Sequence, residues 1–228
     1  MIKHISFDFW NTLFFSNPEF SRLRLKYLGQ FFPETSMDNL SVVIEKIGAE
    51  TDRINIKKGV SLSNGLMYRQ VFDLMNIDID DLSLENIIAD INKIFLAHPP
   101  KQIDPDLKKI LDELRKRGIT MNISSNTAYI EGTILLRALE FYGLNLYFDF
   151  FIFSDEIESS KPSEVFFKKV SQECEQRNIN KSEILHIGDS MQCDVNGAIN
   201  FGVRSALFCP KTNDLTKILC QELNLEVT

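Results

Sequence analysis

The chain has 228 residues, 44% of them hydrophobic and 25% charged, which is ordinary for a soluble globular protein with one large domain or two small ones. Its net charge of −7 argues against bulk electrostatic binding to nucleic acid or to an anionic membrane. No apolar run approaches the roughly 18 residues of a membrane span. The opening MIKHISFDF lacks the pattern of a secretory leader, and the cysteines (Cys174, Cys193, Cys209, Cys220) include no C-x-x-C pair. A cytoplasmic protein with reduced thiols is therefore expected.

Residues 2–9 read as a short buried strand. From 19 to 97 the apolar period is helical. Phe20, Leu23, Tyr27, Leu28 and Phe31 share one face. Leu40, Val43, Ile44 and Ile47 form a second stripe after a cap at Asp38, and Met67, Val71, Leu74 and Met75 a third. Ile87, Ile88, Ile91, Ile94 and Phe95 form a fourth stripe, capped by Ser83. The segment AHPPKQIDP (97–105) then breaks the helical run, because consecutive prolines cannot continue it.

Beyond this break, strands and helices alternate. Asp104-Pro105 reads as an N-cap and first helical residue, with Leu107, Ile110, Leu111 and Leu114 buried and Gly118 ending the helix. Strands are expected at 119–124, 148–154, 184–188 and 205–208. Helices are expected at 130–142, 163–176 and 191–201, and a last one carries Leu215, Ile218 and Leu219 on one side. This alternation predicts an α/β fold: a Rossmann-like parallel sheet with helices on both faces, plus an inserted helical-bundle cap. The core is expected to comprise residues 1–15 and 101–228, and the cap residues 16–100.

Such sheets bind ligands beyond the carboxyl ends of their strands. Asp8 and Thr12 follow the first strand; Ser124, Ser125 and Asn126 follow the second. Lys161 lies in SSKPS after the third, and Asp189 and Asp194 lie in GDSMQCD after the fourth. Three carboxylates gathered at one edge repel one another unless a cation holds them. Lys161 can neutralise one. Mg²⁺ suits the rest, since it accepts carboxylates and favours sites that also bind phosphate. Hydroxyl, amide and lysine donors are what a phosphoryl group requires.

Four stretches, FDFWNTL, ISSN, SKP and GDSMQCD, resemble in this order the four motifs of the haloacid dehalogenase-like hydrolase superfamily. The helical insertion between the first and second resembles that superfamily's helical cap. The resemblance implies that Asp8 is the nucleophile and a metal ligand. It makes the backbone carbonyl of Trp10 and the Asp189 carboxylate further ligands, and gives Asp194 a metal-bound water to hold or the site to orient. It assigns Thr12, Ser125, Asn126 and Lys161 to the phosphoryl group.

The chain departs from the pattern at Trp10, where the phosphatases it resembles carry a second aspartate that protonates the leaving oxygen and then activates water. Indole can do neither. The leading expectation is an Mg²⁺-dependent phosphohydrolase of a small phosphorylated metabolite. The alternatives are a metal-free 2-haloacid dehalogenase and a weakly active member that binds a ligand or a protein. The histidines His4, His98 and His186 read as structural. The cap's cations, Arg22, Arg24, Lys57, Lys58 and Arg69, read mostly as solvated faces from which one or two reach the substrate.

Overall fold

The structure, a computed structural model, describes residues 1–212 and 214–223. Residue 213 and the last part of the expected core, 224–228, lie outside the described residues. Five parallel strands form the sheet: β1 (His4–Phe7), β4 (Thr120–Ser125), β5 (Phe150–Phe153), β6 (Ile184–Gly188) and β7 (Arg204–Leu207), in the order β5-β4-β1-β6-β7. Ile5, Phe7, Ile123, Leu185 and Ile187 are buried, as apolar runs covered on both faces should be. The covering helices are α5 (Leu107–Lys116), α6 (Gly132–Phe141), α7 (Glu164–Glu175), α8 (Gly197–Phe201) and α9 (Leu215–Leu223). β1 lies at the centre, with Phe7 in register with Ile123 on one side and Ile187 on the other. Asp8 therefore leaves the sheet at the point where the connections diverge, and its N–H still donates to the carbonyl of Ile187 (2.9 Å).

Between β1 and β4 the chain inserts α1 (Pro18–Gly29), α2 (Met37–Lys58), α3 (Asn64–Leu74) and α4 (Asp81–Ala97). These four helices form the cap, around Phe20, Leu40, Ile44, Met67, Ile91 and Phe95. Leu74, expected on the buried stripe, is exposed, and Phe72 is buried. Two caps differ from expectation. Ser36, not Asp38, starts α2 by accepting from the Asn39 N–H, and Asp80, not Ser83, starts α4 by accepting from the Ser83 N–H. Likewise α5 begins only at Leu107, because Asp104 Oδ1 turns back to accept from the Asp106 N–H. The stretch expected as one helix from 191 opens as a π-turn segment, Met191–Asn196, before α8. Both chain crossings between core and cap are stitched by an unexpected two-stranded ladder, β2 (Phe14–Phe15) antiparallel to β3 (Lys101–Gln102).

The cap also docks on the core through its loop after α2. Ser159 Oγ donates to the Gly59 carbonyl (2.9 Å) and Ser160 Oγ to the Val60 carbonyl (2.7 Å), while Ser61 and Ser154 share a hydroxyl hydrogen bond (2.9 Å). Gly59 has φ +69°, and a Cβ there would lie 2.9 Å from Ser163 Cβ. Among the described residues no helix is long and apolar enough to cross a membrane.

Candidate active site

The four strand-end sets converge. Asp8, on the residue after β1, is buried. Its Oδ2 accepts from Thr12 Oγ1 (3.1 Å), and its Oδ1 accepts from Lys161 Nζ (2.7 Å). Lys161 is 1% exposed, and its ammonium also donates to Asp194 Oδ1 (2.6 Å) and to the Ser124 carbonyl (2.8 Å). Three acceptors around three N–H bonds leave Lys161 fully used and fixed in place. Its main chain is fixed as well: Asn126 Oδ1 accepts from the Lys161 N–H (2.7 Å) and Asn126 Nδ2 donates to the Lys161 carbonyl (3.0 Å). Asn126 thus braces that lysine. Ser125 is buried, with its hydroxyl donating to the Asn126 carbonyl (3.2 Å).

Asp194 explains why a π-turn follows β6. The segment's first turn brings the carboxylate inward. Asp194 Oδ2 accepts from the Ser190 N–H (2.9 Å), while Oδ1 meets Lys161 and His186 Nε2 (3.0 Å). A Cβ on Gly188 would fall 2.2 Å from Asp194 Cγ, so only glycine lets this carboxylate lie against the strand end. Both of its oxygens already accept hydrogen bonds from the protein, which fits an orienting residue. His186, a strand residue read as structural, bridges Asp194 to Ser6 Oγ (3.0 Å) and so belongs to the site's supporting network. No sequence signal marked it.

The electrostatics follow from this crowding. Burial drives the Asp8 pKa up; the Lys161 charge opposes the rise, and the Asp194 and Asp189 charges add to it. Burial would raise Asp194 too, but the Lys161 charge and the His186 hydrogen bond outweigh it and hold this carboxyl well below the usual range. Burial works against the Lys161 charge, yet Asp194 and Asp8 reverse that, so the lysine stays protonated. Asp189, half-buried, is raised by burial and then by the Asp194 charge. One carboxylate oxygen from each of Asp8, Asp189 and Asp194 lies within 4.8 Å of the others. An all-oxygen, acid-rich set of this kind suits a hard divalent cation such as Mg²⁺.

The site opens into a cleft of about 390 Å³ lined by Asp8, Lys161 and Asp189 from the core, by Trp10, and by Asp52 and Ile56 from α2. Trp10 is half-buried, with Phe9 (4.9 Å) and Phe95 (6.4 Å) edge-to-face against its ring. None of the cap cations lines this cleft. Arg22 pairs with Glu19 (2.6 Å), Arg69 with Asp81, and Arg24 lies over the Phe20 and Tyr129 rings, while Lys57 and Lys58 are exposed. The cap residues that do reach the cleft, Asp52, Asn55 and Ile56, carried no local sequence pattern.

The family model for haloacid dehalogenase-like hydrolases matches residues 2–202. Ribulose-1,5-bisphosphate 5-phosphatase of Halopiger xanaduensis is 34% identical over 106 residues, 46% of this chain and 42% of that protein. The 5-amino-6-(5-phospho-D-ribitylamino)uracil phosphatase YigB of Escherichia coli is 36% identical over 77 residues, 33% of this chain and 31% of that one. The matches thus span less than half the length of these curated relatives. The HAD-hydrolase YfnB of Bacillus subtilis, solved bound to magnesium, superposes with a TM-score of 0.73 at 16% identity, covering 98% of this chain and 99% of that chain. With its four motif sets meeting at one sheet edge beneath an inserted helical cap, the chain belongs to the haloacid dehalogenase-like hydrolase family.

Proposed function

We propose that this protein is an Mg²⁺-dependent phosphohydrolase of a small phosphorylated metabolite, working through a phosphoryl group carried on Asp8. The observation that supports it most is the placement of Asp8 against Lys161, beside the Asp189 and Asp194 carboxylates. Thr12 and Lys161 fix the Asp8 carboxylate, so little orientational freedom is lost when it attacks. Asp8, the Trp10 carbonyl and Asp189 would hold a divalent cation, with Asp194 orienting the group, and such a cation would supply positive charge against the phosphoryl oxygens. In the first step an Asp8 oxygen forms a bond to phosphorus, the bond to the leaving oxygen breaks, and that oxygen takes a proton from solvent water, since Trp10 offers none. In the second, a water oxygen bonds to phosphorus and gives up a proton to solvent, the bond between phosphorus and the Asp8 oxygen breaks, phosphate departs and the Asp8 carboxylate returns. Lys161 balances the charge gathered on the phosphoryl group in both steps, with Thr12, Ser125 and Asn126 shaping its seat.

The relatives named as phosphatases support this reading. The metal-free dehalogenase reading fits Trp10. It leaves the carboxylate of a haloacid facing Asp189, Asp52 and Asp194 with Lys161 as its one cation. The same proposal takes residues 1–15 and 101–228 as the hydrolase core, 16–100 as the cap, and the cytoplasm as the working compartment, in keeping with four free thiols.

The test is release of phosphate from acetyl phosphate and nitrophenyl phosphate across a Mg²⁺ titration, beside halide release from 2-haloacids. Metal-dependent phosphate release that disappears in Asp8→Asn is expected. Metal-independent halide release without phosphatase activity overturns the proposal.

A further inference from the structure

Five charged side chains line the cleft: Asp8, Asp52, Asp189 and Asp194 against Lys161. Lys161 is consumed by Asp8, Asp194 and the Ser124 carbonyl, and a divalent cation together with a phosphoryl group would occupy the core side. The remaining wall, on the side of the leaving group, includes Trp10, Thr127 and Ala128 from the core and Asp52, Asn55 and Ile56 from α2. No cation stands on it. Asn55 is committed within the cap, its Oδ1 accepting from the Leu62 N–H (3.1 Å). Asp52 is exposed to the cleft and makes no hydrogen bond or ion pair among the described residues. A carboxylate and an indole facing one cavity are the two groups that recognise an ammonium, one by charge and the other by its ring quadrupole. The indole is held in place by Phe9 and Phe95, so it forms a preformed wall.

Resting on the phosphohydrolase reading, we infer that the cleft selects phosphomonoesters of amino alcohols, with the substrate ammonium set between Asp52 and Trp10, and disfavours esters bearing a second anion. Asp52 is on this view a specificity-determining residue, and Trp10 forms part of the same surface.

The experiment compares kcat/KM for ethanolamine phosphate, propyl phosphate and phosphoglycolate in the parent, Asp52→Asn and Asp52→Lys, all with Mg²⁺. Taking each variant's ratio to the parent cancels the intrinsic reactivity of the three leaving groups. An exposed ion pair is worth up to about 1 kcal/mol, so the preference for ethanolamine phosphate over propyl phosphate should fall about fivefold in Asp52→Asn. In Asp52→Lys it should pass to phosphoglycolate. Acetyl phosphate, whose bound acetyl group carries neither an ammonium nor a second anion, separates the two readings. If the parent hydrolyses acetyl phosphate but the three-ester ratios are the same in parent and variants, the ammonium assignment fails and the phosphohydrolase stands. If no phosphate ester or acyl phosphate is turned over, both fall.

Discussion

Replacing Lys161 by methionine keeps the side chain's length and removes its charge. In the native protein that charge is shared by two buried carboxylates, Asp8 at 2.7 Å and Asp194 at 2.6 Å, and by the Ser124 carbonyl. Breaking a buried ion pair by removing one partner costs about 3–5 kcal/mol. The variant can escape the uncompensated charge by placing a proton on one carboxylate. Holding a proton at pH 7.5 on an acid of ordinary pKa, about 3.9, costs about 5 kcal/mol. Total stabilities are about 5–15 kcal/mol, so Lys161→Met should be close to unfolding at pH 7.5 without metal. The sign of the pH dependence is set by the direction of the shift. Burial already holds the folded pKa of Asp8 above its usual value in the parent; losing the cation lifts it further and carries Asp194 from below its unfolded value to above it, which is the one extra proton. Their stabilising contribution is then present at low pH and lost as pH rises through the folded pKa. With one extra proton taken up, the variant should regain roughly 1.4 kcal/mol per pH unit relative to the parent on acidification. Urea unfolding in chelator at pH 5.5, 6.5 and 7.5, followed by the single tryptophan, measures this directly. A loss below about 1 kcal/mol, or parallel pH profiles for parent and variant, would refute the assignment of Lys161 as the charge that holds Asp8 and Asp194.

Asp189→Ala should abolish the rise in melting temperature that Mg²⁺ gives the parent, while leaving the metal-free melting temperature within a few degrees; an unchanged Mg²⁺ shift would move the metal elsewhere. Trp10→Asp should raise kcat/KM for alkyl phosphates by roughly 10²–10⁴ relative to acetyl phosphate, since only poor leaving groups need the missing acid; an equal change for both classes would show that no acid is missing. Burial lowers the pKa of His4 to about 4 from its usual 6.5, so its contribution to stability is present above 6.5 and lost as pH falls through about 4. That amounts to about 3 kcal/mol, and calorimetry between pH 7 and 4 should find it in the parent and much reduced in His4→Gln.

The strand ends were legible because each carries its signal locally. ILHIG (184–188) is apolar but for His186 and closes on Gly188, and the structure places β6 on the same residues. Four such ends suffice to gather Asp8, Ser125, Lys161, Asp189 and Asp194, because a parallel sheet leaves them one edge on which to meet. What was not legible depends on geometry between distant segments. The β2–β3 ladder is two residues long on each side, too short for any period to register. The π-turn at Met191–Asn196 has the composition of an ordinary helix, and only the demand that Asp194 reach Lys161 and the Ser190 N–H opens it. Ser36 and Asp38, like Asp80 and Ser83, are interchangeable as caps by chemistry, and the choice between them falls to which side chain reaches an N–H three residues on. Asp52 reads as a solvated helix residue until α2 is laid across the cleft.

The serines that close the cap on the core grip main-chain carbonyls, those of Gly59 and Val60. Every amino acid has such a carbonyl, so these two contacts ask almost nothing of the cap's identity beyond a glycine at the left-handed position, and the Ser61 hydroxyl that meets Ser154 is the one side chain the loop adds. The fastening is generic while the surface it presents to the cleft is free to vary. Cap helices exchanged between proteins that share this loop would keep their closed seat, and a lineage could change its substrate by rewriting α2 without renegotiating how the lid meets the enzyme.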